Sequence, residues 1–594
     1  MRWRAATLTL AMASVAPGAR ASDPPDTEPH EYSSYEQEAI ADAVVHLGAS
    51  REPSPAGKRI EDIRIVTLEV IEERDPYPRF FNAFHVTSRP YVIERELLFR
   101  RGQLYDHRRI DESARNLRNL RQLSVVLIVP LRGSSPDSVV LLVITKDVWS
   151  LRMNTDIAAV DGRVTRLLLQ PAEENWLGTH TLVGALFVLL PATYSFGGQF
   201  INRRVAGSRI ASSVSANVIF NRDTGDTEGS FGSFSYGQPL YSAESRWAWR
   251  AAVAWQDLIF RSFIGPDLRT FDAAATPQDD AIDYVYDYAR YYGVSLLTRS
   301  TGRRHKLDFS AGVELDHRKA RPRGLARVEP IAAQEFIRQE LPVSDTRVGP
   351  MVQVRAYTSD YRKVLDFETL GLQEDYRLGH ELAVRVYPAS EHVASSRTLL
   401  GLFAGAGYTA PFGDGLARAM VSSTHELADD ARSDALFQAN TRVVTPRLGF
   451  GRVVHDTQLL HRYENYLNER FTLGGSGRLR GYPPDAFIGR DMVSSNLEYR
   501  SAPVSLLSTL FGGAVFYDVG DVFDGASDLR LKQSVGLGLR VLFPQANRIV
   551  MRLDYGVPVT ARGLEWPGSL FLAFGQAFGM PTLEPPTLAA DFAE

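Results

Sequence analysis

Apolar and polar residues alternate one by one along many segments of the chain after residue 151. In SVGLGLRVLF, the apolar positions 535, 537, 539, 541 and 543 are separated by serine, glycine, arginine and one leucine. Because successive side chains of a β-strand point to opposite sides, this pattern predicts strands with one apolar face and one polar or small face. The pattern recurs in RWAWRAAVAW, KLDFSAGVELD and NRIVMRLDYGV.

No helical periodicity interrupts this alternation as far as about residue 580, so no helix layer is available to cover the apolar faces. A lipid bilayer can cover them, and a closed barrel satisfies every backbone hydrogen bond in lipid. We therefore predict an all-β transmembrane antiparallel barrel over residues 151–579. About 16 strands over this length would leave about 27 residues for each strand with its connection, and counting segments gives about 16 to 18 strands. The aromatic segment YVYDYARYY (284–292) fits either a girdle at the membrane interface or an aromatic core.

A different pattern precedes the barrel, in residues 59–150. The strand-like IEDIRIVTLEVI is followed by a helical segment that starts at Pro90 and stops before Gly102. Asp106 is a plausible N-cap for a second helix, in which apolar residues recur on one face. Two apolar runs of strand length come next. The order β-α-α-β-β predicts a small α+β domain.

Both ends of the chain read as segments outside these two domains. Basic Arg2 and Arg4, an apolar stretch and the small-residue site Ala19-Arg20-Ala21 predict a signal peptide at 1–21 that is cut near Ser22. Residues 22–58 form a polar linker in which Tyr35 to Leu47 could make one short helix. Residues 580–594 carry three prolines and no apolar periodicity, which predicts a disordered tail that hangs free in the periplasm.

The composition of the chain excludes several classes of partner and of catalytic or metal site. The chain of 594 residues has 66 basic and 70 acidic side chains, so nucleic acid is not expected as a partner. It has no cysteine, which excludes disulfides, thiolate metal sites and a cysteine nucleophile. G-x-S-x-G, H-E-x-x-H and Walker motifs are missing from the sequence, and His85 reads as a structural histidine. We expect no enzyme activity, cofactor or metal; isolated serine and histidine residues on the outer face are the alternative, for which the alternation offers no candidate.

Two motifs stand out near the C-terminus. GGSGRLRGYPPDAF (474–487) combines glycines with two arginines, and five strand-like segments follow it, near 491–500, 508–518, 532–543, 547–557 and 569–578. An odd number of strands places this loop on the side of the barrel opposite the C-terminus, which is the extracellular side. The second motif is FYDVG (516–520), in which the apolar Val515, Tyr517 and Val519 predict that Phe516, Asp518 and Gly520 face the lumen. Glu498 faces the lumen by the same argument.

These motifs resemble those of the BamA/TamA superfamily of outer-membrane barrels, also called the bacterial surface antigen family. Leu479, Arg480, Gly481 and Tyr482 match its [V/I/L]-R-G-[F/Y] motif, and Phe516, Asp518 and Gly520 match its F-x-D-x-G motif. The domain at 59–150 resembles a single POTRA domain. The resemblance implies that the loop folds into the lumen, where Arg480 meets Asp518, with Glu498 as a candidate second partner. The alternative is a solvated surface hairpin with unpaired charges.

The resemblance also implies a function. It indicates a protein of a Gram-negative outer membrane that assists insertion or translocation of other proteins. Its POTRA-like domain would receive unfolded client polypeptides in the periplasm by β-augmentation. The clients would pass a weak seam between the first strand (151–160) and the last (569–578); accessory assembly proteins are a further class of partner. The alternatives are a passive outer-membrane pore, a dedicated single-client secretion barrel and a membrane enzyme.

Overall fold

The computed structural model describes residues 32–583, with the exception of 74, 76, 161 and 429–431. The predicted signal peptide and the part of the predicted tail after residue 583 therefore lie outside the described residues. The described chain forms a small α+β unit followed by a closed β-barrel.

The small unit has the order β-α-α-β-β between residues 59 and 147, preceded by one helix. Its sheet has the order β1-β3-β2; β1 is parallel to β3 and β2 is antiparallel to it. The elements are α1 (Ser34–His46), β1 (Arg59–Leu68), α2 (Pro90–Glu94), α3 (His107–Arg118), β2 (Leu123–Arg132) and β3 (Ser138–Asp147).

The helices follow their local signals, with one difference. Asp106 caps α3 by accepting a hydrogen bond from the Arg108 backbone N–H. The helix that starts at Pro90 ends at Glu94 instead of reaching Gly102. Beyond Glu94 the Leu98 backbone N–H bonds to the Ser113 Oγ at 2.9 Å, which takes the place of a helical hydrogen bond.

Twenty antiparallel strands close the barrel, β4 to β23. Strand β13 continues past Ser359 to Leu365, β19 continues as Val504–Leu506, and β23 is preceded by the short Gly563–Leu564. The strands are β4 (Leu151–Val160), β5 (Arg163–Glu173), β6 (Thr181–Leu189), β7 (Thr193–Asn202), β8 (Ala211–Asn221), β9 (Thr227–Gln238), β10 (Trp247–Arg261), β11 (Val285–Thr301), β12 (His305–Pro322), β13 (Asp345–Thr358), β14 (Gln373–Ala389), β15 (Leu399–Phe412), β16 (Gly415–Ala428), β17 (Asp434–Val444), β18 (Gly451–Asn465), β19 (Asp491–Ser501), β20 (Thr509–Phe523), β21 (Lys532–Leu542), β22 (Met551–Thr560) and β23 (Ser569–Phe574).

The prediction of about 16 strands, or 16 to 18 by segment count, is therefore wrong. The reason is the length of the connections. Two residues join β15 to β16 and three join β11 to β12. Residues 151–574 hold twenty strands, so each strand with its connection takes about 21 residues instead of about 27.

The alternation along the strands separates an apolar outer face from a polar lumen. On β20 and β21, Val515 and Leu537 are 56% and 65% exposed on the outer face, while Asp518 is completely buried inside. No helix among the described residues has the length and hydropathy needed to cross a membrane.

The segment 284–292 contains the start of an aromatic core. Tyr284 and Tyr286 are buried against Phe336 of α4 (Pro330–Gln339), a helix in the connection between β12 and β13. The girdle interpretation does not hold for these two tyrosines, because the connection folds over them. Tyr291, farther along β11, is exposed.

The small unit contacts only one end of the barrel among the described ion pairs and hydrogen bonds between the two. Arg118 binds Asp375 at the start of β14, and Ser88 binds His180 in the connection between β5 and β6. The connection that carries the 474–487 motif follows β18, the fifteenth barrel strand, and so lies at the opposite end, as does α4. The barrel thus has a covered end near the small unit and an end closed by long connections.

The last strand is shorter than the sequence predicts. Strand β23 ends at Phe574 rather than at residue 578, and Gly575 has a φ of 90° that turns the chain out of the sheet. The expectation that the tail hangs free from residue 580 is also wrong for its described residues. Leu583 is buried against Ala383, Phe403 and Met420 because the chain after Gly575 enters the lumen.

Candidate functional site: a lumenal loop, a charge cluster and an incomplete seam

The connection between β18 and β19 folds into the barrel. Its two arms pair as a short ladder, Phe471–Leu473 with Phe487–Gly489. Gly474 has a φ of 124°, and a Cβ there would lie 2.2 Å from the Pro483 carbonyl oxygen, so the turn requires glycine. Leu479 at the tip is buried with Leu460 and Met492 of the wall.

Arg480 is the centre of the site. Its Nε and Nη2 donate to Oδ2 and Oδ1 of Asp518 at 2.9 and 3.0 Å, a bidentate pair, and its backbone N–H donates to the same carboxylate at 3.0 Å. Its Nη1 donates to Glu498 at 2.6 Å and lies 3.4 Å from Asp554. All four side chains are completely buried. One guanidinium therefore ties the loop to β19, β20 and β22 through charge-assisted hydrogen bonds.

The other motif residues shape the space around Arg480. The ring of Phe516 lies under the guanidinium, 3.6 Å from its central carbon. A Cβ at Gly481 would lie 2.5 Å from the Ser534 Cβ, and one at Gly520 would lie 2.8 Å from the Val493 carbonyl oxygen. The loop backbone can approach the wall this closely at position 481 only because the residue is glycine, whereas Gly520 leaves room for the neighbouring strand and for the Leu473 side chain of the loop. Tyr482 packs edge-on against Phe487, with ring centroids 5.1 Å apart.

The cluster contains further residues that the sequence analysis did not single out. Arg540 binds Asp554 at 2.5 Å and Glu498 at 3.1 Å, and Arg500 binds Glu498 at 2.9 Å. Arg478, two residues before Arg480, donates to Asp456 at 2.5 Å. The alternation contains a signal for Arg540 and Asp554, since each occupies a polar position between apolar neighbours on its strand. It contains none for Asp456, which lies between His455 and Thr457.

A second anchor lies at the start of the loop. Glu469 pairs with Arg318 of β12 and with Arg462 of β18. Arg470 beside it binds Glu340 at 3.0 Å, just after α4. The connection is thus fixed to two separate parts of the wall and to the helix that closes this end.

The barrel closes through a short seam. Strand β23 pairs with β4 at four positions, Ser569 to Leu572 against Val160 to Ile157. By contrast, β10 and β11 pair at fifteen positions. Within the described chain, Leu151–Asp156 therefore has a strand partner on one side only, which is β5. The open part of the seam lies at the end nearest the small unit.

A buried polar contact joins the small unit to the barrel. The Ser88 Oγ lies 2.6 Å from His180 Nε2, and Asn175 Nδ2 donates to the Val86 carbonyl at 2.9 Å. Burial lowers the pKa of His180 from 6.5 to about 4, with Asp147 opposing the shift. His85 Nε2 contacts Asp147 at 3.1 Å in the same region. The described residues contain no group of three or more side chains that could hold a metal ion.

A closed antiparallel barrel with an apolar exterior and a charged interior defines a transmembrane β-barrel protein. Residues 438–565 match the model of the Omp85 superfamily domain. This range contains the lumenal loop, Asp518 and Asp554. This part of the chain is therefore similar to the Omp85 superfamily of outer-membrane barrels, and the resemblance inferred from its motifs is confirmed at this level.

Similar solved structures include two proteins named CdiB and one BamA. CdiB from Acinetobacter baumannii has 12% identity and a TM-score of 0.41, over 87% of this chain and 74% of that chain. CdiB from Escherichia coli has 12% identity and a TM-score of 0.39, over 91% and 83%. BamA from Haemophilus ducreyi lacking POTRA domains 1–3 has 11% identity and a TM-score of 0.33, over 87% and 84%. No curated protein sequence matches the chain.

Proposed function

We propose that this protein assists the insertion or translocation of other polypeptides at the outer membrane, without enzymatic chemistry of its own. The observation that carries the proposal is the incomplete seam between β4 and β23. Leu151–Asp156 presents unpaired backbone groups, and such an edge can pair with an incoming extended chain. Only four residue pairs need to separate for the wall to open fully.

The small unit would act as the POTRA-like receptor on the periplasmic side. Its β1 pairs with β3 on one side, and on the other side only Arg59 has a bridge, to Leu104, among the described residues. Residues 63–68 therefore offer a second free edge. Unfolded client polypeptides would add to this edge by β-augmentation before they reach the seam.

The Arg480 cluster would hold the wall firm beside the seam. Strands β19, β20 and β22 are joined through one guanidinium, and β22 is the neighbour of β23. Opening can then be confined to the β4–β23 contact while the adjacent wall keeps its shape. The outer-membrane bilayer and accessory assembly proteins complete the proposed set of partners.

A reversible lock of the seam tests the proposal. Ile157 and Leu572 are direct partners across the seam, and the natural chain has no cysteine that would interfere. We expect Ile157→Cys with Leu572→Cys to fold, to lose activity when oxidised and to regain it after reduction. Activity is measured as the level of other outer-membrane barrels and of secreted proteins in cells depleted of the natural protein.

The matched control is Leu539→Cys with Leu553→Cys, a partner pair on the outer face of β21 and β22. This lock should leave activity unchanged. Full activity of the oxidised seam lock would refute the proposed route. Loss of many barrels after depletion indicates a general insertase, loss of one secreted protein indicates a dedicated translocator, and loss of small-solute uptake alone would favour the passive pore.

A further inference from the structure

The chain after β23 enters the lumen and binds there. The Gly575 backbone N–H donates to the Val550 carbonyl at 2.7 Å, which directs the chain inward past the start of β22. Gln576 accepts from Arg540 Nε at 3.1 Å and donates to the Glu368 carbonyl at 3.4 Å. Residues 575–583, here named the lumenal tail, therefore follow a defined path instead of extending β23.

Phe578 is the main contact of the lumenal tail. It is 5% exposed and packs with Val364, Leu416, Val444 and Val454. Four guanidinium groups surround its ring, with central carbons 4.9 to 6.0 Å from the ring centroid, a distance that permits cation–π attraction. They belong to Arg442, Arg478, Arg480 and Arg500.

These arginines do not depend on Phe578 for their charge partners. Arg442 and Arg478 both bind Asp456, Arg480 binds Asp518, and Arg500 binds Glu498. The barrel strands likewise pair without any residue of the lumenal tail. Departure of the tail would leave the charges paired and the barrel closed, so the pocket around Phe578 has the character of a ligand site rather than of a core.

We propose that the lumen contains a binding site for a short peptide with an aromatic residue, and that the lumenal tail is its tethered ligand. Gln576 supplies the polar contact, Phe578 fills the guanidinium-lined pocket, and Leu583 fills a second pocket near Ala383, Phe403 and Met420. The bound tail obstructs the lumen. Its release during client passage rests on the proposed function; the site itself does not.

Conductance in planar bilayers tests the site directly. A chain truncated after Phe574 should conduct several-fold more than the full chain, while truncation after Leu583 should change nothing because every contact described above is retained. The free peptide GQAFGMPTL (575–583) should return the truncated barrel to low conductance. A peptide with Phe578→Ala should bind at least roughly tenfold more weakly, because it lacks the buried ring.

Two full-length variants cover the case in which the short truncation does not fold. Phe578→Ala should raise conductance, and Phe578→Leu should raise it less because leucine keeps part of the apolar contact. Folding is checked by heat-modifiable migration of the barrel in gels. Unchanged conductance in folded Phe578→Ala would overturn the proposal, as would a free peptide with no effect on a folded truncated barrel. The seam lock reports client assembly instead, so the two proposals can fail separately.

Discussion

Arg480 attaches the loop to the barrel wall through more hydrogen bonds than any neighbouring loop residue does. Its side chain contacts carboxylates on three strands, and its backbone N–H adds a further bond to Asp518. A planar fork with fixed donors suits this arrangement, because two of its nitrogens bind one carboxylate while the third reaches another. Lysine at this position would keep the charge and lose that geometry.

We expect Arg480→Ala to free the loop while the barrel still folds. Loss of one partner of a buried ion pair typically costs about 3–5 kcal/mol; we expect about 3 kcal/mol here, because Glu498 and Asp554 keep Arg540 as a partner. External protease should cleave the loop faster and activity should fall. Arg480→Lys should rescue poorly, and Arg480→Asp with Asp518→Arg should restore part of the activity.

Arg490→Ala is the matched control, since Arg490 belongs to the same connection but is half-exposed and pairs only with Asp524 among the described residues. It should leave protease resistance and activity close to those of the natural chain. Equal protease sensitivity of the two alanine variants would show that the Arg480 contacts do not hold the loop.

At the scale of elements, the sequence predicts which side chains of a strand face the lumen better than it predicts the number of strands. Parity along β19 and β20 places Glu498 and Asp518 inside, and both are buried there. The side to which a side chain points depends only on the pleat of its own strand, so this prediction holds even when the number of strands is predicted wrongly. Strand number depends on connection length, and two- or three-residue connections leave little trace in an alternating sequence. The sequence does not reveal the end of β23, because the chain leaves the sheet through the φ of 90° at Gly575, and a single glycine does not by itself predict such a turn.

The contact between His180 and Ser88 predicts a pH dependence for docking of the small unit. The pKa of His180 is about 4 when buried, against 6.5 for an exposed histidine. Its contribution is fully present above pH 6.5, is lost progressively as the pH falls towards 4, and amounts to about 3 kcal/mol. Energy transfer between dyes at Pro136→Cys and Arg303→Cys should therefore decrease between pH 7 and pH 4.5.

His180→Gln serves as the control for this docking prediction. Glutamine does not titrate in that range, so the decrease in energy transfer should be much smaller. An energy transfer that stays constant with pH in the chain that retains His180 would show that its protonation is not coupled to docking.

At the scale of the whole molecule, the chain divides as its sequence pattern indicates, into a small α+β unit and a long β region. What the pattern could not predict is contact between distant parts. The lumenal tail meets β17, β18 and the loop only after the barrel closes, and no local spacing encodes that meeting. Glu469 and Arg318 are separated by 151 positions in the chain, so the sequence pattern could not predict their pairing either.

The N-terminal segment and the barrel together predict that the protein is exported to the outer membrane. The mature protein should begin near Ser22 and should fractionate with the outer membrane. N-terminal sequencing or mass mapping of the purified protein checks the first point, and density fractionation of membranes checks the second. An intact Met1 or a large pool outside the membrane fraction would contradict the prediction.

The contacts of Arg480 also determine how much of the chain must be present before the loop can be anchored in the lumen. Its carboxylate partners lie 18, 38 and 74 positions later in the chain. During synthesis the guanidinium therefore has none of these partners until β19, β20 and β22 have followed it. A polypeptide that stops within this stretch carries a loop whose charge cannot be buried at low cost. The lumen can therefore hold the loop through these ion pairs only in a chain that includes β19, β20 and β22.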